Sequence, residues 1–169
     1  PQPVEVAVGP TPAWVEVTVS GEPYDVVNNV GSLLIEGGYG ADRGFLQRDE
    51  GQFDDPVEVF AWCGGGVLLR RQYLEEVGFF DERFFLYYED TDLSWRGQGR
   101  GWRYRFVPTS VVRHLHAATS VEGSVRFSYF TERNRLLMLV KNAPRWMVFD
   151  AILQYKRRTY DAFRRDVLT

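Results

Sequence analysis

Between Phe84 and Phe106 the chain reads FFLYYEDTDLSWRGQGRGWRYRF, with three carboxylates, Glu89, Asp90 and Asp92, set between an aromatic run and a cluster of Arg and Trp. Three kinds of chemistry use carboxylates so placed. Acidic side chains at a helix start accept from its free N–H groups and complement its dipole. These three precede or open a helical turn at Leu93–Arg96, so capping accounts for one or two of them. Alternatively, Asp90-Thr91-Asp92 is an Asp-x-Asp triplet of the kind that gives oxygen ligands to a hard divalent cation. His114 and His116, two apart and so on one side of a strand, would then add to the metal shell; the plain reading is two ordinary polar residues. Finally, a carboxylate at the end of an aromatic wall is partly desolvated, which raises its proton affinity toward that of a general base. A helix N-terminus pulls the other way. Residue chemistry alone leaves the three open.

The elements that must carry these residues follow from periodicity. VEVAV and WVEVTVS alternate apolar and polar side chains around GPTPA, a hairpin signal. From Gly31 to Pro56 the pattern is loop-like, broken by Gly37, Gly38, Gly40, Gly44 and Gly51. A loop this long inside a compact domain is usually functional or disordered. VEVFAW, residues 57–62, is expected as a buried strand, followed by a tight CGGG turn and a short helix in VLLRRQYLEEVG that stops at Gly78. Helix character returns at Thr91–Arg100, interrupted by Gly97 and Gly99. WRYRFVP and SVVRHLH are expected as strands. VRFSYFTERNRLLMLVKNAP predicts an amphipathic helix that stops at Asn142 to Pro144. A last helix follows in RWMVFDAILQYKRRTYDAFRRDV. Its Phe149, Leu153, Tyr160, Phe163 and Val167 fall at helical spacing, Lys156 interrupts the stripe, and Arg157, Arg158, Arg164 and Arg165 lie off it.

The 169 residues suit one domain with enough apolar content for a core. Aromatics make up 15%, which fits a sugar or nucleotide site as well as a packed interior. The net charge of −3 hides an asymmetry: residues 1–60 carry 2 basic and 11 acidic side chains, 61–125 carry 8 and 8, and 126–169 carry 10 and 4. A basic tail on an acidic head argues against nucleic acid and suits an anionic membrane surface or a phosphate-bearing ligand. Cys63 is the single cysteine, which excludes a disulfide framework and fits a reducing compartment. The chain opens without Met or a basic leader, so it is expected to be a piece of something longer. No apolar run approaches the roughly 20 residues of a membrane span.

The stretch GGGVLLRRQYLEEVGFFDERFFLYYEDTDLSWRGQGRGWRYRFVPTSVVRHLH, followed by ERNRLLMLVKNAP, resembles the second half of bacterial family 2 glycosyltransferases of GT-A fold, nearest to rhamnosyl- and galactofuranosyltransferase-like enzymes. The order is specific: a Gly-rich turn, Phe-Asp-Glu, Tyr-Glu-Asp-x-Asp-Leu, Trp-Arg, Gly-Trp, Pro, His, Arg-Asn. The match covers about Val57 to Pro144, and less closely Val26 to Asp55. The resemblance implies an α/β fold, the C-terminal portion of a GT-A (nucleotide-diphospho-sugar transferase) domain, with a mixed sheet and flanking helices, to which the alternation adds an N-terminal β-hairpin that the family pattern does not explain. Residues 1–144 would be this partial domain and 145–169 a basic amphipathic helix.

The resemblance also implies roles. Asp90 would be the general base, taking a proton from an acceptor hydroxyl as its oxygen attacks the anomeric carbon of a nucleotide-sugar with inversion. Glu89 and Asp92 would position the base or the acceptor. Trp95 and Arg96 would pack under the acidic loop, though Arg96 also sits four residues after Asp92, at ion-pair spacing. Arg133 and Asn134 match the pair that opens the post-catalytic helix, where Arg133 would steady the leaving diphosphate; the plain reading is one charge on a basic face. Gly64, Gly65 and Gly66 would let backbone approach the substrates, and Trp62 would be a sugar platform or a core residue. His114, or else His116, would complete the shell of a divalent Mn²⁺ or Mg²⁺. The donor half, with its own metal-binding Asp-x-Asp, is not matched in residues 1–56. The register of Asp90-Thr91-Asp92 fits the base motif instead.

The leading expectation is therefore the acceptor half of an inverting, metal-dependent glycosyltransferase that builds a cell-envelope glycan. It would take a nucleotide-sugar donor and a glycan or lipid-linked acceptor, in the cytoplasm at the inner face of the plasma membrane. The basic tail would rest on lipid or pack on the domain. Two other classes compete: a carbohydrate-binding or scaffolding module without catalysis, and a phosphohydrolase using Asp90, Asp92 and His114, for which no nucleophile is evident.

Overall fold

A computed structural model describes residues 4–8, 13–17, 24–113 and 123–167. The first two strands, β1 (Val4–Val8) and β2 (Ala13–Val17), pair antiparallel with Val4 opposite Val17, as the alternation predicts. The segment expected as loop holds a second hairpin. β3 (Ser32–Ile35) and β4 (Tyr39–Asp42) pair antiparallel around a single 3-10 turn at Glu36–Gly38. Of the glycines that read as loop punctuation, Gly37 and Gly38 form the turn of that hairpin and Gly40 lies within β4.

The strand expected over residues 57–62 shortens to β5 (Glu58–Val59), paired antiparallel with β6 (Tyr104–Arg105). Ser32 and Ala61 exchange backbone hydrogen bonds of 2.8 and 3.1 Å, which joins the β3–β4 hairpin to the chain leaving β5. All strand pairs among the described residues are antiparallel, where a mixed sheet was expected. Val111–Arg113 is not strand, and the rest of that expected strand lies outside the described residues.

Four helices follow: α1 (Arg71–Val77), α2 (Glu89–Gln98), α3 (Val125–Asn142) and α4 (Arg145–Val167). α1 ends where expected, on Gly78 at φ 90°. α3 starts with the Ser124 hydroxyl accepting from Phe127 N and stops before Pro144. Its buried face is not the plain apolar stripe predicted, because Asn134 and Arg135 are buried there beside Met138 and Leu139.

Two apolar clusters flank α2. One gathers Trp62, Tyr73, Val77, Leu93 and Tyr104. The other gathers Phe84, Tyr88, Met138, Leu139 and Ala151, with Trp95 against it. Side chains of this size contribute about 1.5–3 kcal/mol each on full burial, so both faces of α2 are firmly held. Gly97 is needed for the first contact. Tyr104 and Tyr73 donate their hydroxyls to Ser94 O (2.8 Å) and Leu93 O (2.7 Å), and a Cβ on Gly97 would lie 2.1 Å from the Tyr104 oxygen. The glycine that interrupts the helical pattern is thus where the sheet side docks on the helix.

Candidate active site

Glu89 and Asp90 arrive at α2 on an unusual connector. Phe85, Tyr87 and Tyr88 adopt φ of 60°, 68° and 68°, a left-handed conformation that costs a side-chain-bearing residue roughly 1–2 kcal/mol. What holds it is α3. The buried Asn134 amide donates to the carbonyls of Phe84 (2.7 Å), Leu86 (2.7 Å) and Tyr87 (2.9 Å). Arg133 Nη1 donates to Arg83 O (2.8 Å) and to Asn134 Oδ1 (2.7 Å), which orients that amide. From the other side the Tyr88 hydroxyl accepts from Gly40 N of β4 at 2.9 Å. The Arg-Asn pair therefore acts on backbone in this structure. Arg133 and Asn134 tie down the segment that delivers the carboxylates, whereas substrate contacts were expected of them.

Asp90 bridges two backbone segments. Its Oδ1 accepts from Thr91 N (2.7 Å) and the Thr91 hydroxyl (3.2 Å), so it serves the first turn of α2 as the capping reading expects. Its Oδ2 accepts from Gly64 N at 2.9 Å, across to the CGGG turn. Each carboxylate oxygen has two lone pairs, so Oδ2 keeps one for a further donor. Gly64 contributes its N–H more than its missing side chain: a Cβ there would meet Asp90 Oδ2 at an ordinary 3.5 Å. Gly65 is exposed, with its N–H directed at Cys63 Sγ at 3.4 Å. Cys63, Gly65 and Gly66 line a cavity of about 330 Å³ that continues past Asn29, Asp49, Phe53 and Arg113.

Glu89 is the carboxylate whose proton is held more tightly than usual. Burial is the main cause and the charge of Asp90 the second, and its Oε2 is buried without a hydrogen-bond partner. Burial also pushes the Cys63 thiol up, with Asp90, Asp42 and Glu89 adding to the effect and the Gly65 N–H opposing it. The acidic group at the turn therefore includes Asp42 at the end of β4. Sequence reading missed it because its strand read as loop.

Asp92 is fully buried and points away from this edge. Its Oδ2 accepts from Arg96 Nε (2.9 Å) and Lys141 Nζ (2.8 Å), and its Oδ1 from Asn142 Nδ2 (2.8 Å). Lys141 also reaches Asp81 at 2.7 Å. The Arg83 guanidinium first, and Lys141 after it, hold the Asp81 carboxyl well below the usual range. Arg96 spans onward to Val77 O and Phe79 O, both at 2.7 Å, closing the C-terminal end of α1. Asp92 and Arg96 thus fasten α1, α2 and α3 together, as the ion-pair reading of Arg96 expects. Trp62 is 6% exposed in the first core cluster, so its ring face offers no platform to a sugar. Trp95 packs edge-on to Phe60 with centroids 5.6 Å apart, beneath α2. The arrangement brings Glu89, Asp90 and Gly64 together and leaves Trp62, Asp92, Arg96 and Asn134 as their support.

The sequence pattern of the family described as "Glycosyl transferase family group 2" matches residues 26–163. The chain belongs to this family. Part of the chain is also similar to an N-acetylglucosaminyl-diphospho-decaprenol L-rhamnosyltransferase found in two strains of Mycobacterium tuberculosis. Identity is 47% over 57 residues, which is 33% of this chain and 19% of that protein. The aligned stretch thus spans about a fifth of the relative's length. No solved structure matches the chain. Family 2 glycosyltransferases generally use a divalent metal. Among the described residues no three His, Cys, Asp or Glu side chains converge on a point that would hold one, and the engaged, buried Asp92 is not free to pair with Asp90 on a cation. His114 and His116 lie outside the described residues.

Proposed function

We propose that this family 2 chain supplies the acceptor side of an inverting glycosyl transfer from a nucleotide-sugar, with Asp90 as general base. The observation that carries the reading is the position of Asp90. It opens a helix rigidly held on both faces and is fixed across to Gly64 N, in the turn whose Cys63, Gly65 and Gly66 line the cavity.

In the reaction, an acceptor hydroxyl lies against Asp90 Oδ2. Its oxygen attacks the anomeric carbon, its proton passes to the carboxylate, and the bond from that carbon to the diphosphate oxygen breaks. The nucleoside diphosphate leaves and the anomeric configuration inverts. Holding base and acceptor in fixed geometry is worth several kcal/mol of barrier in such steps, and general-base assistance typically adds 10²–10⁴-fold. Glu89, partly buried beside Asp90, positions the acceptor. Asp92 acts through the packing of α2 on α3. No step is assigned to a metal, because the described residues do not build a site for one.

The acceptor is proposed to be a cell-envelope glycan or a lipid-linked sugar. The family and the decaprenol-linked substrate in the relative's name support that class. The experiment is transfer from a panel of nucleotide-sugars to lipid-linked acceptors by the full-length protein, with Mn²⁺, with Mg²⁺ and with chelator. Transfer with one donor supports the proposal. Glycan binding with no transfer from any donor would replace it with a non-catalytic carbohydrate-binding module.

A further inference from the structure

Helix α4 is apolar on two opposite sides. One side is accounted for: Met147, Val148 and Ala151 pack on the second core cluster, and Arg158 reaches the Tyr39 hydroxyl of β4. At 3.6 residues per turn, Trp146, Phe149, Leu153, Tyr160 and Phe163 fall roughly half a turn away from Met147, Ala151 and Arg158. These five are between 51% and 70% exposed. Lys156, Arg157 and Arg164 are exposed along the same side. Over Arg145–Val167 the helix carries six basic and three acidic residues. Among the described residues no helix is long and apolar enough to cross a membrane.

We infer that this outward side of α4 docks on an anionic lipid surface. An exposed stripe of Trp, Phe, Leu and Tyr bordered by Arg and Lys is the composition of a helix lying in the plane of a membrane interface. There the rings enter the acyl boundary and the cations meet lipid phosphates. Charge argues against a second copy as the occupant, since pairing this side with itself would bring Lys156, Arg157 and Arg164 of both copies together. Because the packed side faces the core that supports α2, docking would place the protein on the surface with α4 between it and the lipid.

The test uses the full-length protein without substrates, so its outcome is independent of the transferase reading. Flotation is measured with phosphatidylcholine vesicles, with and without phosphatidylglycerol, and in low and high salt. The wild type is compared with the double variants Phe149→Ser/Phe163→Ser and Arg157→Gln/Arg164→Gln. All four positions are exposed, so both variants should melt like the wild type. The expected result is binding to the anionic vesicles alone, weakened about tenfold or more by either variant and loosened by salt. Failure to float, equal binding to neutral vesicles, or binding that neither variant weakens would overturn the inference. So would self-association that Phe149→Ser/Phe163→Ser abolishes in place of vesicle binding, which would assign the face to a second copy.

Discussion

At Glu89 the fold holds a carboxylate against its own preference for charge. Burial and the neighbouring Asp90 favour its protonated form. A carboxyl with a raised folded-state pKa contributes stability that is present below its ordinary range and is lost as pH rises through the folded value. Glu89→Gln should therefore stabilise the protein at neutral pH, with the gain shrinking on acidification; paired denaturant titrations across that range check the sign. Asn134 is the opposite case. Its amide satisfies three carbonyls of a connector with three left-handed aromatic residues. Asn134→Ala would remove the side-chain partner of the Leu86 and Tyr87 carbonyls, at about 1–3 kcal/mol, and release the strain beneath Asp90. The expected outcome is lower stability together with a fall in kcat larger than any rise in KM, read by chemical denaturation and steady-state kinetics. The role of neither residue was legible in the sequence. Asn134 was visible as half of a motif, but one amide meeting three carbonyls some fifty residues away leaves no local trace. Trp62 was open between platform and core until its burial was known.

Among the elements, α2 depends on a charge network buried between it and α3. Asp92 has lost its hydration and recovers it from Arg96, Lys141 and Asn142. Removing one member of such a group leaves the others uncompensated, at about 3–5 kcal/mol. Asp92→Ala should cost stability of that order. Lys141→Met should cost a comparable amount by uncovering Asp92 and Asp81, and the double variant less than the sum; a double-mutant cycle in denaturant measures the shortfall. α1, α2, α3 and α4 were all legible, because helical period and stop residues are local signals. The β3–β4 hairpin was not. Its strands are four residues each, joined by a turn at Gly37 and Gly38, and what makes them strand is their pairing with each other, which segments this short cannot reveal by alternation. The mixed sheet failed for a related reason: β5 and β6 are two residues each, too short for a pattern to give direction.

The molecule as a whole also responds to acid through Asp81. Its carboxyl is held low by Arg83 and Lys141, so its contribution is present above the ordinary carboxylate range and is lost as pH falls, the reverse of Glu89. Asp81→Asn should flatten the acid limb of the stability curve, which thermal melts across pH would register. What the described residues present is a rigid edge at Asp90. Two cores clasp α2, α3 fastens the chain that leads into it, and Asp90 stands at the junction with the Gly64 turn. The order of motifs singles out Asp90, and its dual attachment to Thr91 and Gly64 emerged only in three dimensions. The most direct measurement is single-turnover transfer by the full-length protein, comparing wild type with Asp90→Asn and checking nucleotide-sugar binding in both. A loss of roughly 10²–10⁴-fold in rate with donor affinity unchanged is the result expected of a general base. Equal rates would contradict it and leave Asp90 as an acceptor for the Thr91 N–H in the first turn of α2.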